Sequence, residues 1–443
     1  MSGSFVFSPE WSFTDFGPEE MRRTSGTLSI HLNDRLVTRV EEELSRSVRT
    51  TVRVSCYPLA LWFASSWWRL CWELAPQGRT SRTDWSLSHE MSSAGHGYLW
   101  PPMRFESDGE MVSVSCQPAL SSGHEPIRYL TEFRDAAIPV PVLTAAIESF
   151  VQTVLARLEV VGIQDTELHA LWQELSNERR DPRIALYRKL EAGLGFDPDD
   201  APENMVDFFM GLSAEAGKAA VGELAAACAS KDSSFVWDAL DKSRSFGGVP
   251  GSFSELRTLK IKNTRHDFPW ERGRSLARAA RRAMGHGDQP ISDKNLCDLL
   301  GLREAELTDS VSPPVDALPW SLAIREPQRD EARLLFRRTH RCGRRFEMAR
   351  WLGDFLADPQ ERWFPATDTK TARQKQQRAF AAEYLAPIDA LSAFLGEAIT
   401  DEERIEEAGR HFGVSALAVK SHLANHGLVH PEEVRTPFYG YLS

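Results

Sequence analysis

The chain has 443 residues, 42% apolar and 26% charged, which gives it apolar mass for roughly two to four domains. Its net charge of −11, from 52 basic and 63 acidic side chains, excludes a protein that holds nucleic acid by overall charge. The six cysteines are scattered with no C-x-x-C pair, which argues against a disulfide scaffold or zinc ribbon and for reduced, buried thiols in a cytoplasmic protein.

The opening MSGSFVFSPEWSF has no basic stretch followed by an apolar one. No run approaches about 18 uninterrupted apolar residues, so neither a leader nor a membrane span is expected.

Residues 1–135 read as an α+β domain of unknown role. Residues 27–32, 48–57, 98–105 and 110–116 are short and rich in Val, Thr, Tyr or Trp. Thr51 to Ser55 alternates polar with apolar, the pattern of a half-buried strand. Asp108-Gly109 predicts a hairpin turn, and residues 36–45 predict a helix between strands. Six of the 13 tryptophans fall here: Trp62, Trp67, Trp68, Trp72, Trp85 and Trp100. They fit either a core or a ligand cage, and the core is the plainer reading. His89, Glu90 and His96 form a tempting metal or acid–base set. The histidines are seven apart, a rise of about 10.5 Å on a helix, which is too far to share one ion easily. A loop packed on Trp85 and Trp100 is expected instead.

Pro139 and Pro141 mark a boundary, and residues 139–245 read as a helical bundle. Leu143, Ile147, Val151, Val154 and Leu158 recur at helical steps, so they share one face. Residues 215–229 read as an alanine-rich helix. Residues 246–251, FGGVPG, predict a linker or hinge. They lack the Gly-Lys-Ser/Thr ending of a phosphate loop.

Beyond 265 the capping signals are strong. A helix opens at Pro269 and closes at Gly285, and Ser292 caps a short one ending at Gly301. Residues 318–324 and 332–336 predict strands. Residues 344–356 read RRFEMARWLGDFL and residues 371–387 read TARQKQQRAFAAEYLAP, two helices with a loop between. Thr400 to Glu403 has the capping-box form, and Ser415 caps the last helix. This closing stretch, AGRHFGVSALAVKSHLANHGLV, resembles half of a helix-turn-helix unit. Residues 431–443 read as a tail.

These segments resemble the ImmA/IrrE-type metallopeptidase family. Its active-site helix reads roughly RRFTLAHELGHLL and carries the zinc motif His-Glu-x-x-His. Its next helix opens on a glutamate that supplies the third ligand. Arg344, Arg345, Phe346, Ala349, Leu352, Gly353 and Leu356 match the first pattern, and Phe380, Ala381, Ala382, Leu385 and Pro387 the second. The chemical positions do not match: Arg350, Trp351, Asp354 and Gln374 stand at them. The resemblance implies a zincin-like domain over 265–430 that ends in a helix-turn-helix-like pair. With the preceding regions, the fold class expected is α+β and predominantly helical.

The zinc motif works because residues four apart on a helix are neighbours, so two imidazoles reach one ion while the glutamate takes a proton from its water. Arg350 is a permanent cation, Trp351 has no basic side-chain atom, and Gln374 is a poor zinc ligand. No zinc, other cofactor or catalytic residue is therefore expected at this helix pair. Arg350, Trp351, Asp354 and Gln374 are expected to face the former cleft as a binding surface, with Arg350 paired to Asp354 at i, i+4.

Between 331 and 350 seven arginines stand against two glutamates. Arg337, Arg338, Arg341, Arg344 and Arg345 form a candidate patch for nucleic acid or an acidic partner. The expected function is a non-catalytic, ImmA/IrrE-like regulatory or binding protein with a protein or peptide partner. By analogy with active relatives, the setting is bacterial stress response or phage and mobile-element defence. Two alternatives stand beside it. One is a metal-dependent peptidase with a site relocated among His340, Glu347, Asp354 and Glu383. The other is a nucleic-acid-binding transcriptional regulator that uses the arginine patch and the terminal helix pair.

Overall fold

The computed structural model describes residues 3–76, 83–118, 126–229, 231–259, 261, 266–307, 318–326 and 329–430. The expected tail at 431–443 lies outside the described residues. The chain divides into two compact units, Met1–Met210 and Gly211–Ser443. The boundaries expected near 139 and 265 fall inside these units. Both units mix helices with small antiparallel sheets, so the fold class is α+β.

The first unit runs β1 (Phe5–Trp11), α1 (Glu19–Arg23), β2 (Ser25–Leu32), β3 (Arg35–Leu36), β4 (Val40–Glu42), β5 (Ser47–Arg49), β6 (Val52–Ser55), α2 (Cys56–Ser65), α3 (Trp67–Trp72), α4 (Thr83–His89), β7 (Met103–Ser107), β8 (Met111–Cys116), β9 (Ile127–Tyr129), β10 (Phe133–Pro139), α5 (Val140–Val160), α6 (Glu167–Arg180) and α7 (Pro182–Leu194). β2 centres a sheet with β1, β3 and β6. Its Leu28, Ile30 and Leu32 are buried while Thr27, Ser29 and His31 are half-buried, the alternation of a sheet with one covered face.

Residues 36–45 are not the expected helix. They hold the end of β3, all of β4 and the adjoining turns. β4 pairs with β5 and β9, and Glu42 and Glu41 reach Arg49 at 2.9 Å and Arg128 at 2.6 Å on those neighbours. Strand pairing on both sides of β4, with β9 coming from far along the chain, overrides a helical local preference.

The turn at Asp108-Gly109 forms as its sequence predicts. Asp108 Oδ1 accepts from the backbone N–H groups of Glu110 and Met111 at 3.0 and 2.8 Å, and Gly109 has φ +92°. Trp62, Trp67, Trp68 and Trp100 are core residues, and Trp72 packs against that core.

His89 stacks on Trp85 at 4.1 Å. Its two ring nitrogens face the carbonyl oxygens of Trp85 at 2.9 Å and Arg69 at 3.1 Å, which leaves no nitrogen turned to an ion. His96 is exposed. α5 buries Leu143, Ile147, Val151, Val154 and Leu158 as predicted. Among the described residues it is the one helix long and apolar enough to cross a membrane, and that apolar face is part of its unit's core.

α8 (Glu203–Ala216) carries the chain into the second unit. There follow α9 (Lys218–Ala227), α10 (Ser233–Ser245), β11 (Val249–Ser252), α11 (Ser254–Arg257), α12 (Pro269–Ala283), α13 (Asp293–Leu299), β12 (Ser321–Arg325), β13 (Glu331–Leu335), α14 (Arg341–Ala357), β14 (Trp363–Ala366), α15 (Ala372–Leu385), α16 (Ile388–Leu395), α17 (Glu402–Phe412) and α18 (Ala416–Asn425). Its antiparallel sheet has the order β11-β13-β12-β14.

The predicted linker at 246–251 is corrected here. Val249 lies opposite Leu334 and Ser252 opposite Glu331, so the second half of the breaker cluster is an edge strand. Pro250 is tolerated there because an edge strand needs only half its ladder bonds. α17 is capped by Asp401, which accepts from Arg404 N at 3.0 Å, and α18 by Ser415. The described cysteines are all free, and all but Cys342 are buried.

Candidate functional site

α14 and α15 meet at Gly353 and Phe380. A Cβ at Gly353 would lie 2.4 Å from Phe380 Cγ, so the missing side chain is what lets the ring in. Next to this contact three of the four residues expected to face a binding cleft come together, closed off from water. Arg350 and Asp354 on α14 are 5% and 6% exposed, and Gln374 on α15 is 0% exposed.

The side chains bond one another in an order the sequence did not predict. Arg350 Nη2 donates to Gln374 Oε1 and to the Thr367 carbonyl at 2.9 Å, and its Nε donates to Gln377 Oε1 at 3.2 Å. Gln374 Oε1 also accepts from Thr367 N at 2.9 Å, and its Nε2 donates to the Pro365 carbonyl at 2.9 Å. The expected pair of Arg350 with Asp354 does not form. Asp354 instead accepts from Arg373 Nε at 2.9 Å and Nη2 at 2.7 Å, and from Gln377 Nε2 at 2.7 Å. The reason is reach: Arg373 arrives from the facing helix as a planar fork, which suits a carboxylate better than a neighbour one turn along the same helix.

The electrostatics follow from the burial. Burial, and the like charge of Arg378, press the Arg350 pKa down to about 9. Burial also works against the Arg373 cation, but Asp354 outweighs it and holds that pKa above its ordinary value. A further acid comes from α9. Glu223 is buried and accepts from Thr371 Oγ1 at 2.6 Å, and burial raises its pKa while Arg373 opposes the rise.

Arg373, Gln377 and Glu223 were not legible as site residues. Arg373 and Gln377 sit within one turn of Gln374, and helical spacing alone places them on neighbouring faces. Glu223 is about 150 residues away in sequence and carries no local signal.

Trp351 does not join this group. It is fully buried in the core of the unit, 5.0 Å from the Phe336 ring. A bulky apolar ring at that position turns to the sheet side of α14, where burial stabilises it.

The four candidates for a relocated site also stay apart. His340 is exposed at the start of α14. Glu347 is buried and accepts from Arg338 N at 3.2 Å, Asp354 is held by Arg373, and Glu383 is held by Arg278 at 2.7 Å.

The arginine patch is largely internal. Arg344 and Arg345 are buried. Arg344 Nε donates to the Arg338 carbonyl at 3.1 Å. Arg345 donates to the carbonyls of Gly413 at 3.0 Å and Ile291 at 2.6 Å, and to Asp293. Arg337 forks onto Asp368 at 2.7 and 2.8 Å, and Arg341 meets Asp293 at 2.5 Å. Arg338 is exposed and lies 3.9 Å from Asp368. A run of arginines that reads as a basic face is thus mostly a set of braces within the unit.

The donor set on α14 and α15 does not suit a zinc ion. Its one carboxylate is occupied by Arg373 and Gln377, its amide oxygen by Arg350 and Thr367, and an ion there would face two guanidinium groups. Comparison with family profiles, curated proteins and solved structures finds no match for the chain.

Proposed function

We propose that the protein is a non-catalytic regulatory protein of the ImmA/IrrE-like, zincin-related kind, acting through a protein or peptide partner. Bacterial stress response or defence against phage and mobile elements is the setting the resemblance implies. One observation carries the reading. Arg350, bonded to Gln374 and Gln377, lies between α14 and α15, where the resemblance would put the ion of such a peptidase. Metal-dependent hydrolysis of a peptide needs an open ligand position and a water on the metal. This space offers neither, because its side chains are buried against one another.

The same closure bears on where a partner binds. Residues this buried cannot reach a peptide, so contact falls on the outer surface of the unit. Arg345 and Gly353 then act as scaffold, since they hold helices together.

The test is proteolysis. The purified full-length chain, supplied with zinc, is incubated with an unfolded-protein mixture and a diverse peptide library, with and without chelator. No chelator-sensitive cleavage is expected. Cleavage that a chelator abolishes, and that Arg350→Ala or Gln374→Ala alters, would overturn the reading.

A further inference from the structure

Histidines four apart are absent from α14. They occur on α18, as His422 and His426. At that spacing the two rings lie on one face of a helix, one turn apart. The face turns toward α15, where Glu383 meets it. His422 Nε2 is 3.3 Å from Glu383 Oε2, and one ligand atom from each of Glu383, His422 and His426 lies within 4.8 Å of the other two.

We propose that Glu383, His422 and His426 form a binding site for a divalent transition-metal ion of the zinc type, linking α15 to α18. The inference does not rest on the reading under Proposed function.

The donors are suited to it. Two imidazoles and one carboxylate are a set that zinc takes, with water in the fourth place. Donors about 2.0–2.2 Å from a tetrahedral ion lie roughly 3.3 Å from each other, which is the separation of His422 from Glu383.

A second observation points to a ligand. His422 is 3% exposed and its Nε2 faces the Glu383 carboxylate, while the buried Nε2 of His426 has no hydrogen-bond partner. A buried polar nitrogen is ordinarily satisfied, and a bound ion is one of the few reasons for an exception.

The surroundings also have the form of a metal site. Glu383 is 1% exposed. Its Oε1 accepts from Arg278 at 2.7 Å, and its Oε2 lies 3.4 Å from Ile388 N. Such outer contacts fix the carboxylate in place for an ion. Arg274 donates to the Asn425 carbonyl at 2.7 Å, at the end of α18. The positive charges of Arg274 and Arg278 oppose a cation here, and the Glu383 carboxylate, the one anionic donor of the three, has to offset them.

The experiment uses untagged full-length protein stripped with chelator and titrated with Co²⁺, then competed with Zn²⁺. One equivalent is expected, with visible cobalt absorption that zinc abolishes and an increase in the thermal midpoint. His426 is only half-buried, so His426→Gln is the primary variant, with the apoprotein's circular dichroism as its folding control. His422→Gln is the second. Each should weaken binding at least tenfold and remove the thermal shift. Absence of saturable cobalt binding, or binding left unchanged by His426→Gln, overturns the proposal. Zinc held here without chelator-sensitive cleavage leaves the proposed function standing, so the two can fail separately.

Discussion

Arg373 grips Asp354 across the two helices, with Nε to Oδ1 at 2.9 Å and Nη2 to Oδ2 at 2.7 Å. Both side chains are mostly buried, so neither charge can fall back on water if the other is removed. Breaking a buried pair from one side costs about 3–5 kcal/mol, whereas replacing both partners by apolar groups is often near neutral. Arg373→Met and Asp354→Leu should therefore each lower stability by about that amount in urea unfolding. The double variant should recover most of the loss. Additive losses in the double variant would show that the pair is not coupled.

Glu347 gives the unit a pH dependence. Burial raises its pKa from an ordinary 4.5 to about 7, and its contacts with Ser321 and Arg338 N only partly oppose the rise. The folded state therefore binds more protons than the unfolded one between those values. The stabilisation from the protonated acid is complete below about pH 4.5 and is lost as pH rises through about 7. Over that window the loss amounts to about 3 kcal/mol. Glu347→Gln should flatten the curve of urea midpoint against pH between about 4.5 and 7, and be the more stable form at pH 8. An unchanged slope would contradict the assignment.

Gly273 sets the distance between α12 and α15. A Cβ there would lie 2.3 Å from the Gln376 carbonyl oxygen and 3.0 Å from Phe380 N, and backbone cannot step aside as a side-chain tip can. Gly273→Ala should cost about 2–3 kcal/mol through overpacking. Gly222 in α9 has nothing within 4 Å of its would-be Cβ. Gly222→Ala should gain about 0.5–1 kcal/mol from helix propensity and the lowered entropy of the unfolded chain. Thermal melts of the pair read out the contrast.

Arg345 ties α14 to the turn between α17 and α18 through the Gly413 carbonyl and to the segment before α13 through the Ile291 carbonyl. A lysine keeps the charge but not the planar fork that serves several acceptors at once. Arg345→Lys should cost about 1–3 kcal/mol, the penalty for leaving buried acceptors unmet. It should also speed amide exchange in α17 and α18 more than in α12. Uniform exchange across the unit would remove this role.

Much of the secondary structure could be read from the chain because its signals are local. Pro139 before α5 and Pro141 in its first turn, the Asp108-Gly109 hairpin, and Ser292 and Ser415 as caps each act within a few residues. Where a distant strand supplies the stabilisation, local reading fails. Within residues 36–45, β4 forms because β5 and β9 pair with it on both sides, and the second half of the FGGVPG segment became an edge because β13 lay open to it.

The sequence by itself determined that the zinc motif is absent from α14, since ligand chemistry belongs to residue types. Only the tertiary structure decided what occupies its place. Arg373, Gln377 and Glu223 enter the site from another helix face and from another segment. Trp351 leaves it for the core. Which groups meet depends on helix packing at Gly353 and Gly273, and on distances that no spacing along the chain encodes.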